Sequence, residues 1–104
     1  MVKIISTTPE FEKEVKSGMV VVDFFANWCM PCLMMAPVID ELSEKLEDIN
    51  FIKVDVDDHQ ELAHKFGVMS IPTLIVFVDG KEVNRIVGAM PEEALTEKIM
   101  GLFA

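Results

Sequence analysis

Cysteine and positive charge are both scarce in this chain. Only two cysteines occur in 104 residues, which excludes a small scaffold stapled by several disulfides. Histidine adds little to them: His59 and His64 are five apart, so they share no helix face, and no metal is expected within one chain. Nine Lys and Arg against eighteen Asp and Glu leave a net charge of −9, the wrong sign for nucleic acid or an anionic membrane surface. No apolar run approaches the roughly 20 residues that span a bilayer. The opening Met1-Val2-Lys3-Ile4-Ile5-Ser6-Thr7 lacks a basic segment followed by a long apolar stretch and a cleavage site, so a cytoplasmic location is expected. Internal repeats and low-complexity linkers are missing too. What remains is an apolar fraction of 51%, too high for a disordered chain. The expectation is one domain, residues 1–104, with one core and no cofactor.

The two cysteines stand in Trp28-Cys29-Met30-Pro31-Cys32. Thiols at this spacing, at the mouth of a helix, close a small disulfide with little chain movement. So short a loop removes little unfolded-state entropy, which makes the bridge a poor staple and points to a working dithiol. The thiolate is the reactive species, and a helix N-terminus favours it with backbone N–H groups and positive dipole charge. Cys29 is expected at that N-terminus, exposed at the tip. Cys32 lies one turn further in and more shielded, so Cys29 attacks and Cys32 resolves the mixed disulfide. Pro31 suits a first helical turn, where its missing N–H costs no intrahelical bond. It also withholds one donor from the Cys29 thiolate, which favours reduction of substrates over their oxidation.

Periodicity gives the frame. Val2 to Ile5 reads as a short strand, and Thr7 with Glu10 as a capping-box pair opening a helix at Pro9 that ends at Ser17-Gly18. Met19 to Ala26 is an apolar run broken only by Asp23, as expected of a strand buried on both faces. From Leu33 to Ile49 apolar residues recur at helical spacing (Met35, Val38, Ile39, Leu42, Leu46, Ile49), with Pro37 inside. Phe51 to Val56 is a further strand. The acidic Asp55-Val56-Asp57-Asp58 reads as a solvated turn, and Asp58 as the cap of a short helix, Gln60 to Phe66. Thr73 to Val78 and Glu82 to Val87 flank Asp79-Gly80, a two-residue hairpin turn. Pro91 to Phe103 is the last helix. The order implies an α/β mixed sheet with helices on both faces. A dithiol after a central strand fits the rule that sites in open α/β sheets lie at strand C-terminal ends.

Asp23 is a lone carboxylate in an apolar strand, so its pKa should be raised toward neutrality. Met19, Met34, Met35 and Met100 read as ordinary core packing.

Val22-Asp23-Phe24-Phe25-Ala26, Trp28-Cys29, Pro31-Cys32, Ala36-Pro37, Lys53-Val54-Asp55, Gly67, Ile71-Pro72-Thr73 and Gly88 together resemble the thioredoxin family over nearly the whole chain. The resemblance implies the thioredoxin fold, with a central mixed five-stranded sheet. It implies a protein-disulfide reductase fed by a thioredoxin reductase and acting on disulfide-containing proteins, as a monomer. Ile71-Pro72 would be a cis peptide beside the dithiol. Asp23 would lie behind Cys32 as its proton acceptor, with Lys53 as the nearest charged partner. Trp28, Met30, Pro31, Ile71, Pro72, Gly88 and Ala89 would meet substrate.

Two positions depart from the family pattern. Met30 stands where a glycine is usual, and Leu33 where a lysine is usual. The loss of that cation leaves Cys29 more dependent on the helix terminus. Trp28, Met30, Leu33, Ile71, Ala89 and Met90, with Met69 close by, would then ring the active cysteine with apolar groups, and methionine suits surfaces that accept many sequences. A glutaredoxin-like, glutathione-coupled enzyme shares the core fold, but the additional N-terminal strand and helix and Trp28 favour thioredoxin. A non-enzymatic adaptor subunit is the rival of another class. Two chains sharing an iron–sulfur cluster through four cysteines is a further alternative, which visible absorbance would reveal.

Overall fold

The computed structural model describes residues 2–103, so the first and last residues of the expected 1–104 domain lie outside the described residues. Its elements run β1 (Lys3–Ile4), α1 (Thr8–Val15), β2 (Met19–Phe25), α2 (Met30–Lys45), β3 (Ile49–Asp55), α3 (Gln60–Lys65), β4 (Thr73–Val78), β5 (Lys81–Val87) and α4 (Glu92–Phe103). The five strands form one mixed sheet in the order β1-β3-β2-β4-β5. β1 and β2 flank β3 in parallel, which requires helical crossovers. β4 runs antiparallel to β2, and β5 to β4.

Strand alternation assigns the two faces. Val20, Val22 and Phe24 of β2 pack with Phe11 and Val15 of α1 and Leu62 of α3. Val21 points the other way, among Met35, Ile39 and Leu42 of α2 and Leu95 and Ile99 of α4. Helices therefore cover both faces, as the continuous apolar run of β2 implies. Asp23 has the parity of Val21 and Phe25, which places it on the α2 face.

Local chemistry fixes the joints. Thr7 Oγ1 accepts the Glu10 N–H at 3.2 Å, while Glu10 Oε1 accepts the Ser6 N–H at 2.7 Å. The expected capping pair is thus present, its return bond reaching one residue before the cap. Asp79 and Gly80 both have positive φ, 49° and 87°, the requirement of a type I′ hairpin turn. Asp79 Oδ1 also accepts the Gly18 N–H at 2.8 Å, tying the end of α1 to the hairpin.

Several expectations need correction. Ile49 belongs to β3, paired with Met19, and not to the preceding helix. Leu46 leaves helical geometry at φ −102°, ψ 72°, and the Ile49 N–H donates to its carbonyl at 3.1 Å, so a tight turn continues the apolar rhythm into a strand. His59, not Asp58, occupies the cap of α3, and it makes no side-chain capping bond. Asp55 is buried rather than solvated. Met35 is in the core, but Met34 and Met100 are 71% and 51% exposed: Met34 follows the outward face of α2, and Met100 that of α4.

Candidate active site

The site forms where β2 ends and α2 begins. Ala26 closes the buried strand, Asn27 and Trp28 turn outward, and Cys29 becomes the cap residue of α2 with extended backbone, φ −87° and ψ 107°. Pro31 falls in the first turn, where no backbone bond is lost. Cys29 and Cys32 are joined as a disulfide across a Cα separation of 5.2 Å. The Cys32 N–H donates to Cys29 Sγ at 3.2 Å, and the Leu33 N–H to the Cys29 carbonyl at 3.0 Å. The Cys29 sulfur is thus the one that receives a backbone donor at the positive end of a sixteen-residue helix, an arrangement that stabilises its thiolate on reduction.

Exposure does not separate the two cysteines as expected. Both are 4% exposed, enclosed by Phe25, Ala26, Val56 and Ile71. The side chains of β2 and of the cis-proline loop cover both sulfurs, while Trp28, Met30 and Leu33 project. The distinction between the sulfurs rests on the backbone donor and not on access.

The Ile71–Pro72 peptide is cis and delivers the Ile71 carbonyl oxygen to 3.8 Å from Cys29 Sγ. The Gly88 N–H donates to the Pro72 carbonyl at 2.9 Å, joining the start of β4 to the residue after β5. Gly88 has φ 99°, a region that favours glycine. Pro72, Gly88 and Ala89 are therefore brought to the same edge as the dithiol. Around it Trp28, Met30 and Leu33 are 69%, 66% and 49% exposed, and Met69 lines a groove with Trp28 and Ile71.

Asp23 is 2% exposed. Its register partner on β3 is Lys53 and on β4 is Leu74. Asp23 Oδ1 has no hydrogen-bond partner. Burial pushes its carboxyl up to about 6, an effect the positive charge of Lys53 opposes only in part. The Lys53 ammonium lies over the Phe25 ring, 4.6 Å from its centroid.

Sequence reasoning missed a polar brace behind Trp28. The indole Nε1–H donates to Asp57 Oδ2 at 2.8 Å. The Asp57 N–H donates to Asp55 Oδ1 at 2.9 Å, and the Asn27 amide reaches Asp55 Oδ2 at 3.4 Å. An acidic cluster at a strand end is ordinarily read as solvated. The available signal is position: Asp55 falls inside β3, paired with Phe25 of β2, and not beyond the strand end. His59, also buried, contacts the Ile5 carbonyl through Nε2 at 3.2 Å. Among the described residues no group of three or more His, Cys, Asp and Glu is placed to hold a metal ion, and no helix is long and apolar enough to cross a membrane.

A disulfide between cysteines three residues apart at a helix N-terminus, beside a cis-proline loop and on a mixed five-stranded sheet, defines the class of thiol–disulfide oxidoreductases. The family model described as Thioredoxin matches residues 2–101. The thioredoxin of Bacillus subtilis is 47% identical over 100 residues, covering 95% of this chain and 96% of that protein. That of Staphylococcus aureus is 49% identical over 92 residues, 88% of each chain. A solved structure of Plasmodium falciparum thioredoxin superposes with a TM-score of 0.91 at 39% identity, covering 96% of this chain and 98% of that one. The chain belongs to the thioredoxin family, and its activity is that of a protein-disulfide oxidoreductase.

Proposed function

We propose that the chain acts as a single reductase domain in which Cys29 is the attacking sulfur. The Cys29 thiolate attacks a substrate disulfide, forming a mixed disulfide and releasing one substrate thiolate. Cys32 then attacks Cys29 Sγ, which closes the Cys29–Cys32 disulfide and releases the second substrate sulfur. The substrate gains two electrons, and the dithiol loses them. The observation carrying the assignment is the Cys32 N–H aimed at Cys29 Sγ from the first turn of α2, which favours negative charge on that sulfur.

Asp23 is the proton acceptor for Cys32, with Lys53 beside it to favour the ionised carboxylate. A raised pKa suits it to exchanging a proton near neutrality. Trp28, Met30, Pro31, Ile71, Pro72, Gly88 and Ala89 form the docking surface, supported by Leu33. The Ile71 carbonyl beside Cys29 Sγ favours an extended substrate segment lying along the cis-proline loop. A thioredoxin reductase returns the two electrons, and the protein works as a cytoplasmic monomer.

The test is insulin reduction coupled to NADPH oxidation, with thioredoxin reductase or with glutathione and glutathione reductase as the source of electrons. Turnover with thioredoxin reductase alone is expected. Turnover carried only by glutathione would assign a glutaredoxin-like activity. No turnover from either, with function retained by a Cys29→Ser/Cys32→Ser variant, would assign an adaptor.

A further inference from the structure

The chain has eight methionines; of the three most exposed among the described residues, Met30 and Met69 flank the dithiol and Met34 lines the adjoining groove with Ala89 and Met90. Met30, Met34 and Met69 are 66%, 71% and 96% exposed. Met30 opens α2 directly after Cys29, and Met34 follows one turn later on the same face. Met69 lies across the groove that Trp28 and Ile71 also line. Met35 is 1% exposed, with the Met90 N–H against its sulfur at 3.5 Å. Met100 is 51% exposed but packs near Met19 and Leu46, at the end of the sheet where β2 starts and not where it meets the dithiol.

In the disulfide state both cysteine sulfurs are bonded and 4% exposed. A dissolved oxidant reaching this end of the molecule therefore meets thioether sulfur first. We propose that Met30, Met34 and Met69 form an oxidation site for hydroperoxides, and that their sulfoxides weaken the docking of protein substrates. The inference rests on the reading of this rim as the docking surface. In each step the thioether attacks one peroxide oxygen. The O–O bond breaks, an S–O bond forms, the sulfur is oxidised by two electrons, and the peroxide leaves as water or an alcohol. The product is polar and chiral where the thioether was apolar and flexible. A sulfoxide oxygen buried against an apolar substrate segment without a donor is penalised. The disulfide itself is untouched, so docking changes while the sulfur exchange does not.

The experiment treats the oxidised protein with hydrogen peroxide, maps sulfoxides by peptide mass spectrometry, and measures reduction of insulin and of a small aromatic disulfide. Sulfoxides are expected at Met30, Met34 and Met69 ahead of Met35 and Met100. The KM for insulin should rise about fivefold or more, with kcat and the small-disulfide rate held. In a Met30→Leu/Met34→Leu/Met69→Leu variant, whatever its own starting KM for insulin, peroxide treatment should not change that value. Sulfoxide at Met100 or Met35 as early as at the three, or an unchanged insulin KM after their full conversion, would overturn the inference. Leu33→Lys in the same assay tests the docking reading separately. A raised KM there with no peroxide effect removes only the oxidation site, whereas no rise in either removes the docking surface as well.

Discussion

Asp23 and Lys53 are register partners across the parallel β2–β3 ladder, yet the Lys53 ammonium rests on the Phe25 ring, 4.6 Å from its centroid, while Asp23 Oδ1 is buried without a hydrogen-bond partner. The cation is close enough to moderate the carboxyl but does not neutralise its burial. Its pKa accordingly rises from 3.8 to about 6, the direction expected when desolvation exceeds a nearby opposite charge.

That shift has a signed consequence for stability. Between pH 3.8 and about 6 the folded protein holds a proton on Asp23 that the unfolded chain has released. Stability therefore falls as pH climbs through this window, and the full cost stands at pH 7. Asp23→Asn should gain on the order of 1–3 kcal/mol at pH 7 and nothing below about pH 4. Urea unfolding of both proteins across this range is the measurement. A variant less stable at pH 7 would mean that the carboxylate is paired and structural.

The same substitution should slow resolution of the mixed disulfide, because Cys32 loses its proton acceptor. Single-turnover reduction of insulin should show a slower phase in Asp23→Asn at pH 7, so stability and activity move in opposite directions. An undiminished rate would remove Asp23 from the proton path.

Leu33 begins the second turn of α2, its N–H bonded to the Cys29 carbonyl. Leu33→Lys brings a cation toward the Cys29 sulfur, which should move its alkylation by iodoacetamide to lower pH. It should also raise the KM for insulin, since the rim becomes charged. An alkylation profile that does not move would show that this position leaves the thiolate unaffected.

Trp28 is the only tryptophan, so its emission reports the Asp57 bond directly. In Asp57→Ala the indole loses its acceptor, and fluorescence anisotropy should fall. The exposed bond contributes about 1 kcal/mol at most, so the KM for insulin should rise about two- to fivefold. Unchanged anisotropy would mean that packing alone holds the ring.

Elements with a strong period were legible in the sequence, and so was the dithiol. The apolar run from Met19, broken only by Asp23, marks a buried strand, the Asp79-Gly80 pair a hairpin turn, and the Cys29–Cys32 spacing a short disulfide. Ile49 keeps helical phase with Leu42 and Leu46, so periodicity extends the helix to it, and only the turn at Leu46 moves it into β3. Asp55 and Asp57 were missed for another reason. A carboxylate's partner is not adjacent in sequence, and Trp28 lies 29 residues from Asp57. The burial of Cys29 is not legible either, because the residues that cover it include Val56 and Ile71, distant in sequence.

The order in which the two sulfurs react is tested most directly by trapping. Cys32→Ser, reduced and mixed with a disulfide-bonded protein such as insulin, should accumulate a mixed disulfide through Cys29 that survives non-reducing electrophoresis and maps by mass spectrometry. Cys29→Ser should form none at the same pH and time. Accumulation through Cys32 in the Cys29→Ser variant, with none in Cys32→Ser, would contradict the assignment and reverse the roles.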